Sequence, residues 1–510
     1  MDPRNSVLSS VTIQNGRFDF SGGKLGPCTK TINLHGRTAV PGLIDNHNHI
    51  LLLGLRPGYD TRLETAASIK DVQAAIAERA KSVPAGKFIT AMGGWNPAQF
   101  AEKRLPTLAE LDSAAPGHPV LVFLSFTGPA ATNSLGKAFF TEKGIDVSAT
   151  GAITANAASL AALNALRSVQ TFEDQKRGTA DALAYSASVG ITTDVDMGAF
   201  VKPGVDDIQD SFTFDGLATA DPFHMYDASL ALHREKKLAA RLRIFFLSMD
   251  TQPAVPLLRE RLLNSFDGFG DDMLKFNGIG ERVTWAMNNN DHPTADDKEK
   301  YYQIVRWAAQ RGMPVTMHWP NDASADALLS IYERVNGEIP IKDLRWSVAH
   351  LTSASPENLR RMKAMGVGWT IQRPNAASVE NAKELGVNMG AGTDAHRVAS
   401  YNPFTTLTWL MVDSKNAGSV LRSPEQTPTR EDALRAYTIG SAWFSFDENK
   451  RGSLEPGKLA DLAVLTKDYI TVPLDQIGGI ESLLTMVGGK IVYASGPYAR
   501  LNQNSQESNH

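Results

Sequence analysis

The sequence predicts an α/β protein whose main domain is a (β/α)8 TIM-like barrel, with a large insertion after strand one and a small β-sandwich formed from both termini. Three observations support this prediction. Eight short β-rich segments alternate with segments of helical periodicity, histidines and an aspartate stand at the ends of several of them, and both chain ends carry short strands broken by glycine turns. In a barrel of parallel strands, function gathers at the carboxyl ends of the strands.

The predicted strands share runs of apolar or β-branched residues bounded by turn-forming ones. They are residues 39–49, 190–198, 241–248, 273–278, 313–319, 345–352, 367–372 and 387–394. Amphipathic patterns between them predict helices, for example at 298–310, 323–335 and 356–365. The barrel domain is therefore expected to span residues 39–444.

The stretches outside the barrel strands have their own predicted roles. Residues about 50–185, between the first two strands, are expected to form an insertion that covers the barrel mouth. Short strands with glycine turns predict one β-sandwich domain from residues 1–38 and 445–500. The polar residues 501–510 are predicted to be a disordered tail.

The composition narrows the range of partners. The 510 residues are 42% hydrophobic and 21% charged, with a net charge of −4 and interspersed signs, so no basic patch suggests a nucleic-acid partner. The single cysteine, Cys28, excludes an intrachain disulfide and the cysteine-rich zinc motifs. With no secretory or membrane-spanning apolar segment in the sequence, we expect a cytoplasmic protein with a small-molecule substrate. A homodimer is one option for its assembly.

The most informative motif is Val40-Pro41-Gly42-Leu43-Ile44-Asp45-Asn46-His47-Asn48-His49, at the end of the first predicted strand. Residues two apart on a strand point to the same side, so His47 and His49 can converge on one metal ion. Imidazole binds zinc and several other divalent metals. For this motif alone, a structural polar rim is an equally good interpretation.

Further ligand types stand at the ends of later predicted strands. His318 and His350 end strands five and six, and Asp394 ends strand eight. Singly, a strand-end histidine is more often structural, and an aspartate after Gly-Thr is often a helix N-cap. Together, four histidines and an aspartate at carboxyl ends of strands predict a metal site. Lys275 lies within the apolar fourth strand, where a lysine either has a partner or reaches solvent.

With these motifs the chain resembles the amidohydrolase superfamily, in particular its branch containing N-substituted formamide deformylases. The resemblance rests on the Pro-Gly-Leu-Ile-Asp-x-His-x-His pattern, the two later histidines, Gly392-Thr393-Asp394-Ala395-His396 and the run Gly452-Ser453-Leu454-Glu455-Pro456-Gly457-Lys458-Leu459-Ala460-Asp461-Leu462. It covers nearly the whole chain. It implies the barrel fold, bound metal and hydrolysis of an amide-type C–N bond.

The resemblance also implies roles for individual residues. The two strand-one histidines would bind the more buried metal and the two later histidines a second one, while Asp394 would ligate a metal and carry protons. Lys275 matches a lysine that is carboxylated in many relatives and bridges two metals. As a carbamate it would be an anionic ligand, whereas an ammonium would be repelled by the ions. Asp322 matches an aspartate of the branch's His-Ala-Ile-Gly-Asp motif and is expected at the substrate site.

Two versions of the metal site follow. One is binuclear and bridged by carboxylated Lys275, and the other is mononuclear with a neutral or displaced Lys275. Zinc is the default for a histidine-rich hydrolytic site, although manganese, iron or cobalt fits similar ligands. In either version a divalent ion lowers the pKa of water to ~7 and polarises the scissile carbonyl. Asp394 then moves the proton to the leaving nitrogen.

Hydrolysis of an amide-type bond in a small molecule is the function expected first. Deamination, ester or carbamate hydrolysis and decarboxylation at the same centre are alternatives, because a fold does not fix the reaction. A non-catalytic, metal-stabilised binding protein is the alternative outside enzymes. The retained Asp394 argues against it, since a structural metal site needs no proton-carrying carboxylate.

Besides Asp322, four residues are expected at the substrate. Trp95 and Trp319 would form an aromatic wall, with an ordinary core position as the other interpretation. Arg373 would pair with a substrate carboxylate or take part in a structural ion pair. His396 would support the nearby aspartate or begin a helix.

Overall fold

The chain folds into a mixed α/β structure with parallel sheets at its centre. The computed structural model describes residues 4–19, 28, 30–201, 216–248, 254–284, 287, 292–319, 321–372, 378–395, 400–412 and 423–502. Within these ranges, no helix combines the length and the apolar character that a membrane span requires.

The strands and helices of the described residues are numbered along the chain. The strands are β1 (Thr12–Gln14), β2 (Arg17–Asp19), β3 (Ala39–Pro41), β4 (Leu43–Asn48), β5 (Tyr59–Asp60), β6 (Ile89–Met92), β7 (Val120–Phe123), β8 (Ala130–Thr132), β9 (Ala152–Ile153), β10 (Ile191–Asp196), β11 (Phe200–Val201), β12 (Thr219–Ala220), β13 (Arg241–Phe246), β14 (Leu274–Ile279), β15 (Thr316–His318), β16 (Ser347–Ala349), β17 (Gly368–Ile371), β18 (Met389–Ala391), β19 (Leu462–Leu465), β20 (Ser482–Val487) and β21 (Lys490–Ala494). The α-helices are α1 (Ile50–Gly54), α2 (Ile69–Ala80), α3 (Leu108–Ala114), α4 (Ser134–Glu142), α5 (Asn156–Ser168), α6 (Phe172–Ser188), α7 (Asp227–Arg234), α8 (Pro256–Arg261), α9 (Ala295–Gln310), α10 (Asp322–Glu338), α11 (Pro356–Met365), α12 (Val379–Glu384), α13 (Pro403–Met411), α14 (Arg430–Ala436) and α15 (Ile439–Trp443).

The eight predicted strands are present and form two parallel sheets of four. The first contains β4, β10, β13 and β14, and the second β15, β16, β17 and β18, with neighbours following in chain order. The links between the sheets include a parallel bridge between Ile279 and Val315, and a hydrogen bond from Asp394 N to His47 O at 2.8 Å. The strands are all parallel, and the second link connects the carboxyl ends of β18 and β4. Polar residues that follow the strands are therefore brought together on one side.

The helices between these strands begin where the sequence supplies caps. The Thr294 hydroxyl accepts from Asp297 N at the start of α9, and the Asp297 carboxylate accepts from Thr294 N in return. Ser355 caps α11, and Gly366 ends it with a φ of +69°, a conformation that glycine adopts without strain. The helices predicted at 298–310, 323–335 and 356–365 are confirmed as α9, α10 and α11.

The residues between β4 and β10 carry a five-stranded sheet of their own, in the order β5-β6-β7-β8-β9. Its first three strands are parallel and the remaining pairs antiparallel. A separate hydrophobic cluster covers it, including Ile76, Leu111 and Val122. Trp95 belongs to this cluster, is 7% exposed and stacks on Phe100 with ring centroids 5.7 Å apart. The structure thus places Trp95 in a core, which corrects its expected place in a substrate wall.

The two ends of the chain meet in one sheet. β19, β20 and β21 are antiparallel, and β3 adds to the β19 edge. The hairpin of β1 and β2 contacts this sheet through a bridge between Arg17 and Leu459. The β-sandwich domain of residues 1–38 and 445–500 stays a prediction, and residues 503–510 of the expected tail lie outside the described ranges.

The first predicted strand is divided at Gly42. Its amino-terminal part is β3, which pairs with β19, whereas its carboxyl-terminal part is β4, which pairs with β10. Gly42 N donates to Asp461 O, and the next amide, Leu43 N, donates to Gly190 O. A Cβ at residue 42 would lie 2.4 Å from the Thr192 side chain, so only glycine fits where the chain passes from one sheet to the other.

A buried ion network lies near the amino ends of β13 and β14. Arg243 Nε donates to Asp447 Oδ2 at 2.9 Å, and Lys275 Nζ donates to Ser445 O at 2.7 Å. Arg451 Nε lies 3.6 Å from the same Asp447 oxygen that Arg243 contacts. Burial raises the pKa of Asp447, but the surrounding cations outweigh it and hold that pKa below its usual range. Asp447 and Asp272, which also contacts Arg243 and Arg451, therefore balance the buried cations together.

Replacing Asp447 by asparagine is expected to destabilise the fold by about 3–5 kcal/mol, because Arg243 and Lys275 would lose the buried carboxylate that contacts both of them. Scanning calorimetry measures the fall in unfolding temperature. Asp296→Asn is the control, since it breaks only the surface pair between Asp296 and Lys300 and should leave that temperature unchanged within error. Equal, small shifts in both variants would contradict a structural role for the network.

Candidate metal centre

His47 and His49 lie at the carboxyl end of β4 and just beyond it. Their rings are on the same side of the chain, as the i, i+2 spacing predicts, with centroids 6.0 Å apart. His49 Nδ1 lies 2.7 Å from Gly198 O, which follows β10. This hydrogen bond places the proton on Nδ1 and leaves Nε2 as the nitrogen that can bind a metal.

The structure brings His318, His350 and Asp394 to the same place. His318 is the last residue of β15, and His350 directly follows β16. The ring of His350 lies 4.0 Å from that of His318 and 4.9 Å from that of His47, measured between centroids. Asp394 Oδ1 lies 3.6 Å from His49 Nε2, and Asp394 Oδ2 lies 3.6 Å from His350 Nδ1. The strand-end residues therefore converge.

Glu281 lies among these histidines and is absent from the sequence-based prediction. Its Oε2 lies 2.8 Å from His318 Nδ1, 2.9 Å from His350 Nε2 and 3.3 Å from His47 Nε2. Glu281 is the second residue after β14, which ends at Ile279 rather than at Gly278 as predicted. The rule that selects the polar residue after each strand applies here too and would have found it. The six residues form what we call the ligand cluster: His47, His49, Glu281, His318, His350 and Asp394.

Lys275 is not part of the ligand cluster, which corrects the prediction of a carboxylated bridge. Its Nζ bonds to Ser445 O and lies 3.5 Å from Asp447 Oδ1, in the ion network at the other end of the sheet. Lys275 is the second residue of β14, so Glu281 lies six residues further on, about 20 Å of extended chain. Burial, together with nearby Arg243, lowers the pKa of Lys275 to about 8. Glu281 places a carboxylate among the histidines, where the prediction expected a carbamate.

The two carboxylates and three of the histidines of the ligand cluster have shifted pKa values. Burial lowers the pKa of His49, but Asp394 and Glu281 outweigh it and raise that pKa well above its usual range. Burial raises the pKa of Glu281, but His318 and His350 outweigh it and hold that pKa well below its usual range. The pKa of Asp394 is lowered in the same way, against burial, by His350 and His49. Burial lowers the pKa of His318 to about 3 and also lowers the pKa of His350. Ionised carboxylates and neutral imidazoles are the forms that bind divalent metals.

This donor set fits a divalent cation. Two overlapping groups, His47–Glu281–His350 and His47–His49–Asp394, each place their ligand atoms within 4.8 Å of one another. In the part of the chain that the structure describes, neither ring nitrogen of the buried His47 has a hydrogen-bond partner, and neither does His350 Nδ1. Buried polar atoms normally have a partner, and a metal ion would supply one here.

Neighbouring polar groups fix the positions of the ligands. Asp45 Oδ1 accepts from His47 N at 3.2 Å and from Thr393 N at 3.0 Å, and its Oδ2 accepts from the Thr393 hydroxyl at 2.6 Å. Asp45 thereby ties the first strand to the loop that carries Asp394. Gln372 Oε1 accepts from His350 N at 2.9 Å. Supporting bonds of this kind hold metal ligands in place.

Of the residues predicted to contact the substrate, the structure describes Trp95, Trp319 and Asp322, and other contacts account for each of them. Trp319 is fully buried in the main hydrophobic core, which is the alternative position predicted for this residue from the sequence. Asp322 Oδ1 accepts from Ser355 N at 2.6 Å and from Asn358 Nδ2 at 2.9 Å, so it joins the start of α10 to that of α11. Both findings correct the prediction. Arg373 and His396 lie outside the described residues.

Parallel sheets with such a cluster at the strand ends are typical of metal-dependent hydrolases. Residues 30–493 match the model of the Amidohydrolase family, and the chain belongs to this family, as its motifs indicate. An N-substituted formamide deformylase from Arthrobacter pascens is 23% identical to it over 97% of this chain and 96% of the relative.

Two solved structures share the fold. An uncharacterized metal-dependent hydrolase from Pyrococcus horikoshii has a TM-score of 0.56 at 19% identity and covers 91% of this chain and 95% of its own. The atrazine chlorohydrolase from Arthrobacter aurescens TC1, solved with zinc, has a TM-score of 0.53 at 16% identity over 98% and 95% of the two chains. At these identities, the likeness concerns the architecture.

Proposed function

We propose that the protein hydrolyses an amide-type C–N bond of a small molecule at a divalent-metal centre held by the ligand cluster. The observation that carries this proposal is the convergence of four histidines and two carboxylates beyond the carboxyl ends of parallel strands. Membership of the amidohydrolase family and the similarity to a formamide deformylase support the choice of a C–N bond.

We also infer that the two parallel sheets form a single (β/α)8 barrel. Eight parallel strands in chain order, with helices between them, are the pattern of this fold. The bridge from Ile279 to Val315 and the bond from Asp394 to His47 lie where the two sheets would meet. The ligand cluster then occupies the face of the barrel on which enzymes of this architecture act.

Zinc is the proposed metal, with one or two ions per chain. His47, His49 and Asp394 would hold one ion, and His318, His350 and Glu281 would hold a second. A bound divalent ion supplies a Lewis acid that polarises the scissile carbonyl and lowers the pKa of water to ~7. The proposal places no carboxylated lysine at the centre, since Glu281 takes the place expected for it.

Asp394 is the proposed proton carrier. Its side chain is 14% exposed, against 6% for Glu281, so Asp394 is the carboxylate nearer to the side from which substrate and water arrive. Because the imidazoles keep it ionised, it can accept a proton from the attacking water and then donate that proton to the leaving nitrogen. Glu281, enclosed by three histidines, holds charge rather than moving protons.

Metal content and turnover test this proposal together. Protein stripped with a chelator should lose activity and regain it when about one or two zinc ions per chain are restored. The expected products from N-substituted formamides or other amides are a carboxylate and an amine in equal amounts. Zinc-loaded protein that cleaves esters or carbamates but no amide in the panel would overturn the proposed bond. Failure to bind zinc would overturn the centre itself.

A further inference from the structure

Arg282 lies directly beside the ligand cluster and has no part in the proposed proton transfer. Its Nη2 lies 3.3 Å from both ring nitrogens of His318, so the guanidinium lies across the face of the imidazole. Its Nε lies 3.9 Å from Glu281 Oε1, and only 11% of the side chain is exposed. Arginine stays charged even when buried, so a fixed positive charge stands next to the metal ligands.

An apolar wall lies on the other side of this guanidinium. The central carbon of the guanidinium lies 5.7 Å from the centroid of the Phe200 ring. Phe200 belongs to β11, which follows the carboxyl end of β10. Phe200 packs against a small hydrophobic cluster, whose buried members are Leu51, Leu52, Ala199, Ala218 and Met225. Arg282 therefore stands between the ligand cluster and an apolar surface, beyond the ends of the strands.

The charges around Arg282 favour an anion. Glu281 and Asp394 are the two carboxylates of the ligand cluster. Once a divalent ion is bound, its charge and that of Arg282 together exceed the charge of these two carboxylates. Holding a cation beside a metal ion costs electrostatic energy that a bound anion offsets.

We propose that Arg282 binds a carboxylate of the substrate, and that the substrates are amides that carry a carboxylate close to the scissile bond, such as N-acyl amino acids. The planar guanidinium presents paired N–H donors that match a carboxylate, and the Phe200 wall accommodates an apolar acyl or side chain. The amide bond in this proposal rests on the proposed function, whereas the recognition of a carboxylate rests on the position and charge of Arg282.

Paired substrates test this proposal. Each N-formyl or N-acetyl amino acid is compared with the corresponding amide, in which a neutral carboxamide replaces the carboxylate. For the zinc-loaded enzyme, kcat/KM is expected to be about 10- to 100-fold higher for the carboxylate member, the range for a hydrogen bond to a charged group. Arg282→Gln should bring this ratio to about one. Arg259→Gln, which removes a charge at an exposed arginine stacked on Trp307, should keep the wild-type ratio.

Binding measured without turnover separates this proposal from the proposed function. Calorimetric titration of the zinc-loaded protein with N-acetylglycine and with N-acetylglycinamide should show tighter binding of the acid, lost in Arg282→Gln at equal zinc content. If no amide is cleaved, the proposed function fails, and this titration still decides the role of Arg282. A ratio near one in the wild type, or one that Arg282→Gln leaves unchanged, overturns the proposal. Should Arg282→Gln lose zinc, the wild-type ratio alone decides.

Discussion

Replacing Asp394 by asparagine is expected to lower kcat by about a hundred- to ten-thousand-fold, the range for the loss of a general acid–base group. Asparagine keeps an oxygen near His49 and His350 but can neither accept nor return a proton. The measurement is kcat of the zinc-loaded variant on the best amide substrate, with zinc counted in the same sample. Enzyme that retains its zinc and loses its turnover would distinguish a catalyst from a metal-stabilised binding protein.

A matched control excludes a general effect of the substitution. Asp326 is an aspartate whose side chain is 65% exposed and pairs with Arg361 on the helical surface. Asp326→Asn should leave both kcat and zinc content at their wild-type values. Wild-type turnover in zinc-loaded Asp394→Asn would show that another group moves the proton, and the assignment of Asp394 would then be wrong.

Replacing Glu281 by glutamine is expected to weaken zinc binding by at least about 100-fold. The loss of a group that only supports a metal ligand costs 10–100-fold in affinity, and Glu281 is a direct ligand in our proposal. Its Oε2 faces three histidine nitrogens within 3.3 Å, and an amide NH2 group placed there would oppose them. Competition with a zinc-binding dye of known affinity measures the change.

Lys275→Met is the informative companion variant. If Lys275 were a carboxylated bridge, this variant would lose zinc and the wild-type mass would include carbon dioxide. In the structure the amine bonds to Ser445 O, so zinc content should stay at the wild-type value and the intact mass should show no addition.

For the Glu281→Gln variant, a zinc affinity equal to that of the wild type would contradict the direct role of Glu281.

The strands and the convergent histidines could be predicted because both depend on local patterns. Apolar runs of strand length identify the eight segments, and parallel pairing then brings the residues after their ends together. The same rule reaches Glu281, the first polar residue after β14, whether that strand ends at Gly278 or at Ile279. The resemblance instead assigns the anionic ligand of this strand to Lys275, which lies within it.

The place of Lys275 could not be read from local pattern. A lysine within an apolar strand looks the same whether its amine faces a metal or another buried charge. The carboxylate that lies beside the Lys275 amine belongs to Asp447, which is 172 residues away in the chain. The tryptophans pose the same problem, since Trp95 and Trp319 follow strands but pack into cores formed by distant residues. Such choices depend on tertiary neighbours that periodicity does not identify.

At Gly42 the chain passes from one sheet to another, and this arrangement affects the order in which the site can form during synthesis. β3 ends two residues before the strand that carries the first histidines, and among the described strands it pairs with β19. His47 O accepts a hydrogen bond from Asp394 N. A ribosome releases the amino-terminal end long before either partner has been synthesised. A nascent chain therefore presents His47 and His49 with an unpaired strand edge and without the carboxylates that complete the site. A metal that needs the full ligand set would therefore bind only after residue 394 has been synthesised.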